Sequence, residues 1–155
     1  MFNVNTFDVR RFFAEAWRNR LSPQADALQQ KAIRIVLAHP EYHHYVENAE
    51  DYLTRNWLPE QGETNPFLHL SLHLSVQEQV AIDQPFGIAD IHRRLCAKHG
   101  DWVTAEHEMM EALAEMIWRA QRNGTGFDVN AYITQLRRLV DLGEEDEARL
   151  NPHEI

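Results

Sequence analysis

Histidine recurs at one-turn spacing in this chain, and that spacing suits the binding of a single metal ion. Residues four apart on an α-helix share a face, with Cβ atoms about 5–6 Å apart, so two such side chains can reach one ion. His69 and His73 form one such pair, His39 and His43 a second, and His107 with Glu111 a mixed third. Nine histidines scattered at random over 155 residues would give about half an i,i+4 histidine pair, whereas the sequence has two. The spacing of His to Glu carries less weight, because 24 Asp and Glu residues make such pairs common. Placement counts for more. His69 and His73 stand among Leu68, Leu70, Leu72 and Leu74, and burying unpaired imidazoles is costly. They need a metal, carboxylates, or backbone and water as partners.

Imidazole nitrogen together with carboxylate oxygen suits iron, zinc or manganese. The expected ligands are His69, His73, His107 and Glu111, completed by His39 or His43. Pro40 divides the last pair, so regular helical geometry is not expected there; His44 and Glu47 lie close by in sequence. Three or four protein ligands with an open position would make a reactive centre, and a closed shell a structural one. The competing reading is a set of surface or hydrogen-bonded core histidines. No catalytic residue is assigned.

Other chemistry-bearing residues have simpler explanations. Cys96 has His92 four residues before it and His99 three after it, so a thiolate–imidazole pair is conceivable. A cysteine on an apolar face is more often inert packing. Met109, Met110 and Met116 read as core, as do Trp17, Trp57, Trp102 and Trp118. The sequence has no glycine-rich phosphate loop, serine-centred elbow or HExxH motif.

The elements that must position these residues read as helices. Thr6 or Asn5 can cap a first helix with the apolar stripe Val9, Phe12, Phe13, Ala16 and Trp17. Ser22-Pro23 is expected to start a second, with Leu28, Ala32, Ile35 and Val36 buried and Pro40 ending it. One or two short turns follow to Tyr52, the second capped by Asn48, and residues 54–64 form a loop. Asn65-Pro66 repeats the cap-plus-proline start. The stretch 67–76 alternates leucine with His or Ser, which is a strand period, but no second strand is available to pair with it. A central, buried helix is therefore expected. Pro85 and Gly87 break the chain before a short helix ending at His99-Gly100. Asp101 caps a long helix closed by Gly124, and Asp128 caps a final one. The fold expected is all-α: a single helical domain over residues 1–143, with core helices 23–38, 66–83, 101–123 and 128–142. The first helix lies outside or across them. Residues 144–155 form an acidic tail expected to be mobile.

Composition narrows the function classes. The size suits one domain that can bury a core of its own. The formal net charge of −9 disfavours nonspecific binding to nucleic acid and anionic membranes. No apolar run approaches the roughly 20 residues needed to span a bilayer, and no signal-peptide pattern is apparent, so a cytoplasmic location is expected. A single cysteine excludes an internal disulfide.

The stretches HPEYHHYVEN, GETNPFLHLSLHLSVQEQ, DQPFGI and EHEMMEALAEMIWRAQRNG resemble an uncharacterised, mainly proteobacterial family, domain of unknown function 1841. The resemblance implies a small helical bacterial protein and carries no assigned activity. A looser similarity, through His69-x-x-x-His73 and His107-x-x-x-Glu111, is to helical-bundle metalloproteins of the hemerythrin and DinB type. The order of pairs differs, and the usual final His-to-Asp spacing is absent. The leading expectation is a helical-bundle protein binding iron, zinc or manganese, with catalysis left open. Its rivals are a non-catalytic interaction module, homodimeric or bound to another protein, and a pH-responsive helical protein.

Overall fold

The computed structural model describes residues 6–57 and 64–140. Asn5, the middle of the expected 54–64 loop and the acidic 144–155 segment lie outside them. Among the described residues the chain is all-α, with seven α-helices and no strand. None of these helices is long and apolar enough to cross a membrane. The chain divides between Gln77 and Glu78 into two compact units.

In the first unit, α1 (Thr6–Arg18) buries Phe13, Ala16 and Trp17. It packs against α2 (Ala27–Leu37) and the short α3 (His43–Glu47). It is thus a core member of this unit, not a helix laid outside it. Arg10 lies on the same buried face, only 4% exposed. Its guanidinium donates to the carbonyls of Tyr52 and Leu53, the latter at 2.9 Å. These carbonyls close the 3-10 turn Ala49–Tyr52, and a cation there satisfies groups that a helix end leaves unpaired. Desolvation by burial lowers the pKa of Arg10 from its ordinary value, yet a guanidinium keeps its charge in a protein.

The start of α2 differs from the sequence expectation. Ser22 Oγ accepts only from Gln24 N, at 3.2 Å, and the helix begins four residues later. Asp26 accepts from Gln29 N at 2.8 Å while the Gln29 side chain accepts from Asp26 N at 3.1 Å. This reciprocal capping box satisfies two orphan donors where a serine cap would satisfy one. The buried stripe is Ala32, Ile35 and Val36; Leu28 is 39% exposed. The helix stops before Pro40, as expected, and Pro40 opens a 3-10 turn (Pro40–Tyr42) leading into α3. Asn48 does not cap the next turn with its side chain; its amide donates back to the His44 carbonyl at 2.8 Å.

The ambiguous leucine–histidine stretch is helical. α4 (Pro66–Ile82) opens with Asn65 Oδ1 accepting from Phe67 N at 3.0 Å and Leu68 N at 3.1 Å. Ten of its twelve residues from Pro66 to Gln77 are buried. Such all-round burial leaves no polar face, which is why the helical period is faint in the sequence.

In the second unit, α5 (Ile88–His99), α6 (Trp102–Asn123) and α7 (Val129–Leu139) pack mutually. Ile91, Leu95, Met109, Leu113, Ile133 and Leu136 are among the buried residues. α5 is thus a full partner in this packing, although the sequence reading treated it as a minor element. Asp83 Oδ1 accepts from Gly87 N and Ala89 N at 3.1 and 3.0 Å, so this carboxylate serves the start of α5. Gly100, at φ +68°, ends α5 in the left-handed region that favours glycine. Asp101 and Asp128 cap α6 and α7, as expected. The buried Tyr132 hydroxyl donates to Gln79 Oε1 at 2.8 Å, and burial pushes its pKa far up.

Removing the α2 cap should be measurable. Asp26→Ala is expected to cost about 1 kcal/mol in a denaturant titration, with Asp26→Asn within a few tenths of wild type. Equal losses for the two variants would show that the capping box contributes nothing through its oxygen acceptor.

Candidate metal centre

Three histidines converge in the first unit. His39 follows α2 at the break imposed by Pro40, with backbone angles (φ −126°, ψ 67°) outside the helix. His69 and His73 project from one face of α4, four residues apart. The Nε2 atoms of His69 and of His73 each lie 3.2 Å from His39 Nε2. The three rings form a near-equilateral triangle, with centroids 5.0, 4.7 and 5.1 Å apart. His39 is 1% exposed and His73 fully buried, while His69 is half-buried.

The protonation of His39 follows from its other nitrogen. Nδ1 lies 2.7 Å from the Ile35 carbonyl. A carbonyl only accepts, so Nδ1 must carry the proton. In the neutral ring Nε2 then presents a lone pair toward the two neighbours. A single in-plane lone pair can accept one well-aligned hydrogen bond, yet two imidazole nitrogens stand at equal distance from it. A cation shared among the three nitrogens would satisfy all of them at once. The spacing fits: ligands at 2.0–2.1 Å from zinc in a tetrahedron lie about 3.3 Å from one another. A backbone carbonyl orienting the outer nitrogen of a ligating histidine is the usual outer-shell arrangement of metal sites.

Aromatic packing closes one side. The Tyr42 ring stacks on His39 at 5.5 Å, almost parallel, and meets His69 edge-on at 5.5 Å. Burial, then the nearby Glu41 carboxylate and Tyr45, raise the Tyr42 pKa above its ordinary 10, so it stands there as a neutral phenol. The spacing rules used on the sequence could not find Tyr42, because its position depends on the turn after Pro40. The clue available was aromatic content within the HPEYHHY stretch itself.

His43, the other member of the second histidine pair, has a different placement. His43, on α3, directs Nε2 to the Val36 carbonyl at 2.8 Å, and its ring packs on Trp17 at 4.5 Å. That nitrogen is committed to the end of α2 and does not join the cluster. His44 Nε2 meets the Tyr52 hydroxyl at 3.0 Å. Glu47 accepts from Trp17 Nε1 at 3.2 Å. His107 and Glu111 belong to the second unit, on α6, where His107 is half-buried and Glu111 exposed. Of the two i,i+4 histidine pairs, then, one delivers both members and the other delivers only His39.

No curated protein and no solved structure significantly matches this chain. Residues 5–138 match the family described as "Domain of unknown function (DUF1841)", and the chain belongs to that family.

Proposed function

We propose that the protein binds one divalent transition-metal ion through His39, His69 and His73. The observation that carries this is the pair of 3.2 Å approaches to the lone pair of His39 Nε2. All donors are imidazole nitrogens, a set that favours zinc, or iron in its place, over manganese. Exposed Glu111 and the committed His43 are outside the ligand set. Four imidazoles would complete a closed tetrahedral shell, and three would leave a position for water whose proton the ion makes more acidic. The second arrangement is what an enzyme would need; the first is a structural centre.

Elemental analysis of protein purified without chelator distinguishes metal binding from a purely hydrogen-bonded histidine cluster. About one equivalent of zinc or iron is expected, falling below a tenth in His69→Ala/His73→Ala. Full occupancy in that double variant would reject the ligands. A folded wild-type protein that takes up none of the added zinc, iron or manganese would reject the site.

Stripping the ion should also lower stability. Zinc restored to the stripped protein at 100 times its dissociation constant is expected to recover about 2.7 kcal/mol. The gain should shrink as the pH falls, because protons compete for the same nitrogens. Identical melting curves with and without zinc, from pH 6 to 8, would show that the folded state does not bind it.

A further inference from the structure

Tyr42 stands beside the histidine cluster without being one of its ligands. It is half-buried, at the end of the 3-10 turn that Pro40 opens. Its ring lies almost parallel to that of His39, at 2° with centroids 5.5 Å apart. The same ring meets His69 edge-on, again at 5.5 Å. Both arrangements are attractive for flat rings. One side chain thus touches two of the three converging histidines, which come from different elements of the first unit.

The contact of His39 Nδ1 with the Ile35 carbonyl does not by itself aim the other nitrogen. A hydrogen bond at one corner leaves the ring able to tilt about that contact. The lone pair of Nε2 lies in the ring plane and tilts with it. A flat neighbour on the face of the ring removes that freedom, so the plane of His39 is set by Tyr42. Tyr42 is itself held on both sides. Its backbone N donates to the His39 carbonyl at 2.9 Å, so chain and ring both close on the same residue. The next residue, His43, ties the far side of the turn to α2 through its 2.8 Å contact with the Val36 carbonyl. Pro40 fixes φ where the turn begins.

We infer that Tyr42 is a positioning residue of the histidine centre, holding His39 and His69 at the spacing that selects zinc over nickel. The inference rests on the metal site proposed above. Nε2 atoms 3.2 Å apart match the short bonds of a tetrahedral zinc ion. Nickel also binds imidazole but prefers a square or tetragonal shell, which this spacing does not offer. Without the stack His39 tilts away and water takes its place. That change costs zinc a well-placed ligand and lets nickel adopt the shell it prefers. The stack uses the ring of Tyr42, which phenylalanine retains.

The test titrates zinc, nickel and cobalt into metal-stripped wild type, Tyr42→Phe and Tyr42→Leu, and records the visible spectrum of the cobalt forms. In Tyr42→Leu zinc is expected to bind at least ten-fold more weakly, and the ratio of zinc to nickel affinity to fall about ten-fold. Tyr42→Phe should match wild type in both. Cobalt in wild type and Tyr42→Phe should show the intense bands of a four-coordinate ion, and in Tyr42→Leu the weak bands of a higher coordination number. A residue that only supported the fold would weaken both ions alike and leave the cobalt bands unaltered. That result, or a Tyr42→Leu protein equal to wild type, would overturn the positioning role and leave the metal site standing. A wild type that binds none of the three ions would sink both. If Tyr42→Leu does not fold, cobalt-loaded wild type still decides. Its Tyr42 ring signals in the NMR spectrum are expected to be strongly shifted by the paramagnetic ion, and unshifted signals would overturn the inference.

Discussion

The bond from His39 Nδ1 to the Ile35 carbonyl is the constraint on which the histidine centre depends. It decides which nitrogen of a buried imidazole keeps its proton, and so what His39 offers to its neighbours. The bond exists because α2 stops where it does. Pro40 forbids the helix from continuing, the last turn tightens so that Ala38 N and His39 N donate to the Ile35 and Val36 carbonyls, and two histidines add a second bond at each of these carbonyls. His39 takes Ile35 and His43 takes Val36. One helix end thus sorts two histidines of the same spacing into different roles, one facing the cluster and one closing the helix.

α4 supplies the opposite side by different means. Its near-complete burial through Gln77 leaves His73 no water to turn to. Ser71 shows how a polar group in that setting is normally satisfied: its hydroxyl donates to the Leu68 carbonyl one turn back, at 2.8 Å. The His73 imidazole reaches outward, with Nε2 3.2 Å from His39 Nε2. Holding His69 and His73 on a helix fixed on nearly every side keeps both rings at the spacing an ion requires, which is the kind of support a metal site needs.

Much of this was legible in the residues. The caps Asn65, Asp101 and Asp128, the stops at Gly100 and Gly124, and the helical nature of 67–76 follow from local chemistry. So does the pair at 69 and 73. What could not be read was tertiary. Ser22-Pro23 and Asp26 are both acceptable starts for α2, and only the reciprocal bond with Gln29 decides between them. The division of labour between His39 and His43 depends on the path of the chain after Pro40. Glu106 looked like one acidic residue among many, since burial of a carboxylate leaves no mark on spacing. Arg10 sits on the buried face of α1 for the same kind of reason: its partners are backbone carbonyls more than forty residues away.

Burial of His39 and His73, with His69 only partly covered, has a kinetic side. Of the three, His69 is the ring that solvent reaches, and the Tyr42 ring rests against it. Traffic to the inner two nitrogens therefore runs past His69 and beside Tyr42. Were an ion held there, its exchange would depend on opening of the 40–42 turn as well as on the strength of each coordinate bond. That turn lies in the segment that Arg10 clamps at its far end through Tyr52 and Leu53. A guanidinium remote from the histidines would thereby act on how long a bound ion stays.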